Sequence, residues 1–125
     1  MTKRLRAGLM GAVIVGALGL TACNPGAQAN SPSAVQDAIT QAFGSISDQA
    51  MGVAKCESNL DPNAVSRGGG NWGLFQINTV HRSDFESVTG HSWSEVTDPY
   101  LNAAYAAYLY NQSGGWGPWA CSWAA

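Results

Sequence analysis

The chain of 125 residues is poor in positive charge, with only six lysines and arginines. Three of them stand within the first six positions. From Cys23 onward, three basic residues (Lys55, Arg67, Arg82) are set against eight acidic ones, which gives a formal charge of −5. A protein that binds nucleic acid usually carries a basic face. The shortage of basic residues therefore argues against a nucleic-acid partner.

Metal ligands in recognisable spacing are also lacking. The two histidines, His81 and His91, are each isolated, without a second ligand at the spacing of a zinc site. We interpret both as core or surface residues. We expect neither a metal nor another cofactor.

No apolar run is long enough for a membrane span, which needs about 20 residues. The longest run, from Ala7 to Leu20, directly follows the basic residues Lys3, Arg4 and Arg6. A charged segment followed by a short apolar one is the order of a secretory signal. The sequence therefore predicts export.

Residues 20–23 (LTAC) resemble the lipobox of bacterial lipoproteins, where the chain is cut before the cysteine and the thiol is lipidated. This resemblance implies a signal peptide at residues 1–22 and lipidation of Cys23. The protein would then be anchored to the outer face of the cell membrane. Cleavage after Ala29, at the small-x-small sequence of residues 27–29, is the alternative.

The three cysteines fit this interpretation, because an odd number leaves one unpaired in a secreted chain. Cys56 and Cys121 lie at either end of the candidate domain, so a disulfide between them would close a long loop. Such a bridge typically stabilises a small domain by roughly 2–4 kcal/mol. Cys23 is then free for lipidation.

The length allows one folded domain. The breaker-rich residues 23–32 predict a flexible tether, residues 33–44 a helical stalk or first helix, and residues 45–125 the domain itself. Apolar residues at helical spacing, together with caps and glycines, predict helices over four ranges: Ser33 to Phe43, Ser45 to Asn59, Thr79 to Gly90 and, after the Asp98-Pro99 start signal, Tyr100 to Gln112.

One carboxylate stands out, because Glu57 continues the apolar stripe of the second predicted helix. A turn-rich run with three glycines (residues 68–70) follows it, and then residues 73–78 (GLFQIN). Successive glycines are tolerated mainly where the backbone bends sharply or approaches another group closely. Within two dozen residues, the chain thus assembles an acid, a glycine-rich wall and an amide side chain.

These motifs resemble the lytic transglycosylase branch of the lysozyme-like superfamily. The resemblance rests on Glu57-Ser58, the Pro-x-Ala turn at residues 62–64, residues 73–77 (GLFQI), and Asp98-Pro99 with Asn102 beyond it. The ending Gly115-Trp116 to Trp119-Cys121 is similar to secreted and phage-borne actinobacterial versions. The resemblance implies a small, mainly α-helical, lysozyme-like domain with a substrate cleft, stabilised by the disulfide.

The resemblance further implies a catalytic role for Glu57. In this family a single Glu protonates the glycosidic oxygen between N-acetylmuramic acid and N-acetylglucosamine in peptidoglycan. It then acts as base while the muramoyl 6-hydroxyl closes on the anomeric carbon, which gives a 1,6-anhydro product. A general acid must hold its proton at neutral pH, and desolvation by apolar neighbours favours the protonated carboxyl.

Two-carboxylate glycosidases place a second Asp or Glu across the bond. In animal-type lysozymes that Asp stands just before a segment similar to residues 72–78, and the matching residue here is Asn71. The single-acid route is therefore favoured. A hydrolytic muramidase of lysozyme or resuscitation-promoting-factor type remains an alternative, with Asp61, Asp84 or Glu86 as a second acid. A non-catalytic wall-binding lipoprotein is another.

Supporting roles follow from the same resemblance. It assigns substrate contacts to Ser58, Asn71, Trp72, Leu74, Phe75, Gln76 and Tyr108. Ser58 and Gln76 would orient Glu57 and the sugar amides, and Leu74 and Phe75 would line the cleft floor. The family also carries a tyrosine on its last helix. Counting from Asn102, the matching position in this chain is Leu109, and we prefer the neighbouring Tyr108 as its equivalent. Tryptophans could stack on sugar rings or fill the small core.

Overall fold

Residues 30–125 are described by the structure, a computed structural model. The predicted signal peptide, the lipidation site Cys23 and residues 23–29 of the predicted tether lie outside the described residues. Within residues 30–125, no helix has both the length and the apolar character needed to cross a membrane.

The described chain is mainly helical, as predicted. Between residues 30 and 125 it forms four α-helices: α1 (Pro32–Phe43), α2 (Ser47–Ser58), α3 (Arg82–Thr89) and α4 (Pro99–Ser113). Two short strands, β1 (Asn71–Trp72) and β2 (Ile77–Asn78), pair as an antiparallel hairpin. Single 3-10 turns lie between or after these elements, at Gly44–Ile46, Thr79–His81, Trp93–Glu95 and Ser122–Ala124.

Helix α1 is an integral part of the fold and not a separate stalk. Its cap is Ser31, whose Oγ accepts a hydrogen bond from the N–H of Ala34 at 3.2 Å. The prediction of Ser33 as the cap is wrong, because the helix already begins at Pro32. At this first position the missing N–H of proline removes no hydrogen bond from the helix. The buried face of α1 packs mainly against α4 and α2, and it consists of Val35, Ala38, Ile39 and Phe43.

Helix α2 begins two residues later than predicted, at Ser47, because residues Gly44–Ile46 form a tighter 3-10 turn. Its interior face buries Ala50, Val53 and Ala54. Gly52 has the carbonyl oxygen of Ala124 where a Cβ atom would stand, so the C-terminal turn packs directly on the α2 backbone. The helix stops at Asn59, which adopts the left-handed conformation with φ of 55°.

Helix α4 starts at the predicted signal. The Asp98 carboxylate accepts hydrogen bonds from the N–H groups of Tyr100 at 2.9 Å and Leu101 at 3.1 Å, and Pro99 fills the first position. One turn on, Asn102 is completely buried. An amide side chain is buried at little cost only when each of its polar atoms finds a partner.

The side chain of Asn102 ties the hairpin to α4. Its Oδ1 accepts the N–H of Phe75 at 2.9 Å, and its Nδ2 donates to the carbonyls of Trp72 at 3.1 Å and Val96 at 2.7 Å. Gly73 lies directly against this amide. It has φ of 78°, and any Cβ there would overlap Asn102. The hairpin turn therefore needs glycine at 73 both for its conformation and for the close approach of α4.

An aromatic cluster packs around Phe75 of the hairpin turn. The Phe43 ring lies 5.2 Å from the rings of both Phe75 and Trp116, and Trp116 lies 5.2 Å from Trp119. The Trp119 indole donates to the carbonyl of Phe75 at 3.0 Å. Trp93, Trp116 and Trp119 are buried, so most of the surface of these rings packs in the core.

Replacing Asn102 by alanine should strongly destabilise the fold. The change leaves the Phe75 N–H and two carbonyls buried without their partner, and each such group typically costs about 1–3 kcal/mol. We expect the free energy of unfolding in urea to fall by about 3 kcal/mol or more. The matched control is Asn111→Ala on the exposed face of α4, expected to change it by less than about 0.5 kcal/mol. Equal losses for both variants would contradict the assigned role.

Candidate active site

Glu57 is the penultimate residue of α2 and is half-buried. Its Oε1 accepts a hydrogen bond from the backbone N–H of Cys121 at 3.0 Å. The predicted disulfide between Cys56 and Cys121 is confirmed, with Cα atoms 6.0 Å apart. The bridge therefore begins one residue before the acid and ends at the residue whose amide binds the acid. Sequence reasoning missed this amide, because a backbone donor carries no side-chain signature.

The structure assigns Ser58 a different partner from the predicted one. Ser58 is only 9% exposed, and its hydroxyl donates to the carbonyl of Ala54, one turn earlier in α2, at 3.0 Å. Because this bond uses the only O–H of Ser58, the hydroxyl does not donate to the Glu57 carboxyl. The expectation that Ser58 orients Glu57 is therefore corrected.

Asn71 lies on β1, opposite Asn78 on β2. The backbone N–H of Asn71 donates to Ser66 Oγ at 2.9 Å, and its side-chain Oδ1 accepts from Asn78 Nδ2 at 2.9 Å. Asn71, the residue that the sequence resemblance matches with the second carboxylate of lysozymes, is thus one of a pair of neutral amides. This pair spans the two strands of the hairpin.

Gln76 ends the hairpin turn in a strained conformation, with φ of 48°. Its Nε2 donates to the carbonyls of Ala64 at 3.1 Å and Gly73 at 3.0 Å. These hydrogen bonds join the preceding loop to the hairpin, so the side-chain nitrogen of Gln76 stabilises the local fold. Strain of this kind persists only where the surroundings impose the conformation.

Leu74 and Phe75 do not line a cleft floor, which corrects the prediction. Both are 0% exposed, since the hairpin turn directs them into the core. They support the hairpin from beneath and cannot touch a ligand. Trp72 is half-buried, and its indole donates to the carbonyl of Gly69 at 2.9 Å, which fixes the glycine loop beside the hairpin.

A cavity of about 160 Å³ lies between the hairpin, α4 and the C-terminal segment. It brings together two of the predicted site residues, Asn71 and Gln76, with six other residues, of which the sequence points to Leu109 and Trp119. The full lining is Asn71, Gln76, Ile77, Asn78, His81, Leu109, Pro118 and Trp119.

Two positions in this lining change the sequence-based assignment. Leu109 stands in the cavity, whereas the preferred Tyr108 does not line it and packs its ring 5.8 Å from that of Tyr105. Of the two positions considered from the sequence, the one given by counting from Asn102 lines the cavity and the preferred one does not. His81 also lines the cavity, although its isolation in the sequence gave no sign of this.

The other acids considered as a second catalytic group each have a structural partner. Asp61 accepts the N–H of Asn63 at 2.9 Å, and Glu86 accepts the N–H of Trp93 at 2.9 Å. Asp84 accepts the hydroxyl of Tyr105 at 2.7 Å. None of these three acids lines the 160 Å³ cavity, and Glu57 is not part of its lining either.

Burial raises the pKa of the Tyr105 hydroxyl well above its ordinary value. The hydrogen bond to Asp84 and the negative charge of that carboxylate add to the rise. The hydroxyl therefore keeps its proton at neutral pH and remains a donor to Asp84. Among residues 30–125, no group of three or more His, Cys, Asp and Glu side chains is arranged to hold a metal ion.

Residues 34–125 match the family model described as the transglycosylase SLT domain. The match covers most of the chain, including all the residues discussed for the site. The searches of curated proteins and of solved structures each found no match.

Substitutions at Gln76 should separate backbone strain from side-chain bonding. Gln76→Gly and Gln76→Ala both lose the two side-chain hydrogen bonds, but only alanine retains the cost of a positive φ. We expect the alanine variant to be about 1 kcal/mol less stable than the glycine variant in urea denaturation. Gln36, an exposed residue within α1, is the control. There the alanine variant should be the more stable one by a similar amount, because glycine weakens a helix interior. If the glycine variant were the more stable one at both positions, or the alanine variant at both, the strained conformation of Gln76 would be contradicted.

Proposed function

The chain belongs to the transglycosylase SLT domain family, and from this premise we propose that it is a peptidoglycan lytic transglycosylase with Glu57 as its single acid and base. Family membership implies action on peptidoglycan in general. The finer proposal is cleavage of the β-1,4 bond between N-acetylmuramic acid and N-acetylglucosamine, with a 1,6-anhydromuramoyl product.

The observation that carries the proposal is that Glu57 is held in a fixed position while the residue matching the second carboxylate of lysozymes is not an acid. Glu57 is a half-buried carboxyl at a helix end, fixed by a backbone amide. The position expected for a second carboxylate holds Asn71, paired with Asn78. An asparagine side chain lacks the carboxylate that serves as nucleophile or as base for water in two-carboxylate glycosidases. This arrangement supports a nucleophile supplied by the substrate.

The reaction then needs two proton transfers through one group. Glu57 donates its proton to the glycosidic oxygen as the bond from the anomeric carbon to that oxygen breaks. The resulting carboxylate takes the proton of the muramoyl 6-hydroxyl while that oxygen bonds to the anomeric carbon. The enzyme regains its starting form, and no water is consumed.

We place the contact with the glycan at the cavity between the hairpin and α4. It combines polar groups (Asn71, Gln76, His81) with the apolar surfaces of Leu109 and Trp119. A 2-acetamido group presents a donor, an acceptor and a methyl group, which such a lining can satisfy. The volume of about 160 Å³ is that of roughly five waters, so the cavity accommodates a substituent or part of a ring.

Glu57→Gln should abolish glycan cleavage and leave folding and glycan binding largely intact. The glutamine oxygen can still accept the Cys121 N–H, but the side chain has no proton to donate as an acid. General acid–base catalysis typically contributes about 10²–10⁴-fold, so we expect a loss of at least that order. The measurement is mass spectrometry of muropeptides released from purified cell wall.

The matched control is Glu86→Gln, since Glu86 also accepts a backbone N–H but lies in α3, outside the motif that carries the family acid. It should release muropeptides at the wild-type rate. Wild-type products lighter by one water than hydrated ends support ring closure, whereas hydrated ends would establish hydrolysis instead. Unchanged release by Glu57→Gln would overturn the catalytic assignment. Binding without cleavage by the wild type would favour a wall-binding protein.

We further propose that the protein acts at the bacterial cell envelope, attached by a lipid on Cys23. The support is the basic-then-apolar N-terminus and the lipobox-like residues 20–23. The attachment would hold the domain near its substrate through residues that precede α1.

Cys23→Ser should release the protein from the membrane fraction, because the lipidated thiol is lost. Mass spectrometry of the N-terminal peptide should show a lipid on Cys23 in the wild type. The control is Ala29→Leu, which blocks the alternative small-x-small site and should leave lipidation unchanged. A wild-type N-terminus at Asn30 without lipid would contradict the anchor.

A further inference from the structure

We propose that the Cys56–Cys121 disulfide, together with the backbone amide of Cys121, positions the Glu57 carboxyl for proton transfer, so that cleavage depends on the oxidised bridge. The inference rests on the proposed function. It gives the disulfide a role in the reaction beyond the stabilisation that loop closure predicts.

The contacts around Glu57 carry this inference. The bridge links α2, at the residue before Glu57, to the residue whose N–H binds Glu57 Oε1 at 3.0 Å. The amide and the acid are therefore joined twice, once covalently and once by the hydrogen bond. Such a closed ring of contacts restricts both the carboxyl and its donor.

Other contacts dock the C-terminal segment independently of the bridge. Trp119 donates to the carbonyl of Phe75 at 3.0 Å, and Trp116 donates to Gln49 Oε1 at 3.1 Å. Ala124 packs on Gly52 of α2. Removing the bridge should therefore leave the segment on the protein surface while the amide of Cys121 gains freedom relative to the acid.

The hydrogen bond gives the two carboxyl oxygens different roles. Because Oε1 accepts the N–H of Cys121, the proton of the acid is carried by Oε2 and is directed to the glycosidic oxygen from there. When this proton leaves as the glycosidic bond breaks, the negative charge on Glu57 already has a donor in place. A preorganised N–H stabilises a developing charge without reorganisation during the reaction.

The bridge lies at the surface of the protein, since Cys56 is an exposed residue and Cys121 is half-buried. Reduction would separate the two cysteines without changing any side chain that touches the glycan. The expected result is a fall in kcat with little change in KM, the pattern of an interaction needed in the transition state.

The test compares the wild type with Cys56→Ser/Cys121→Ser on soluble peptidoglycan glycan oligomers. We expect kcat to fall by about ten- to a hundredfold, the range for a hydrogen bond to a charged group, with KM within about twofold. Treatment of the wild type with a thiol should give the same loss, and reoxidation should restore the rate.

The matched control for lost stability is Ile39→Ala in α1, a fully buried position whose truncation costs a similar amount to loss of the bridge. With folding verified at the assay temperature, Ile39→Ala should keep the wild-type kcat. An equal fall in kcat for Ile39→Ala would overturn the positioning role. So would an unchanged kcat in the folded double serine variant.

A spectroscopic measurement on the oxidised protein does not depend on whether the serine variant folds. The NMR signal of the Cys121 amide should shift in Glu57→Gln, because its acceptor changes from a carboxyl oxygen to an amide oxygen, and should move again on reduction of the wild type. An amide signal insensitive to both changes would refute the positioning. If Glu57→Gln itself cleaved glycan, the proposed function would fail instead, so the two failures are distinguishable.

Discussion

The buried amide of Asn102 is the interaction on which the site depends. Its three hydrogen bonds join α4 to the hairpin turn and to the carbonyl of Val96, so three chain segments meet at one side chain. Gly73 permits this approach, because any side chain there would displace the amide. Without the contact, the hairpin would keep its two short strands but lose its fixed position on α4.

That anchor also determines which residues of α4 reach the cavity. Leu109 stands seven residues after Asn102, two helical turns along the same face. Since Asn102 faces the hairpin, Leu109 faces it as well and lines the cavity with Gln76. Tyr108, one position away on the helix, turns toward Tyr105. The geometry of one buried amide therefore selects a leucine over its neighbouring tyrosine.

The mainly helical class, the start of α4 at Asp98-Pro99 and the disulfide could be predicted from the sequence, because each depends on local chemistry or on counting cysteines. Leu74 and Phe75 were misplaced, since the positive φ of Gly73 and Gln76 turns both side chains into the core. The Cys121 amide and His81 could not be found, because a backbone donor and a lone histidine acquire meaning only from distant contacts.

Under the proposed function, Asn71 is the residue that separates ring closure from hydrolysis, and the fold does not explain why it is an asparagine. An aspartate at this position could accept the same hydrogen bond from Asn78 Nδ2, and the backbone bond to Ser66 would be unaffected. Stability therefore gives little reason to prefer the amide over the carboxylate. A reaction that excludes water as nucleophile does give one, because a carboxylate across the bond would activate water. The neutral pair Asn71–Asn78 thus fits a mechanism in which the nucleophile comes from the glycan itself.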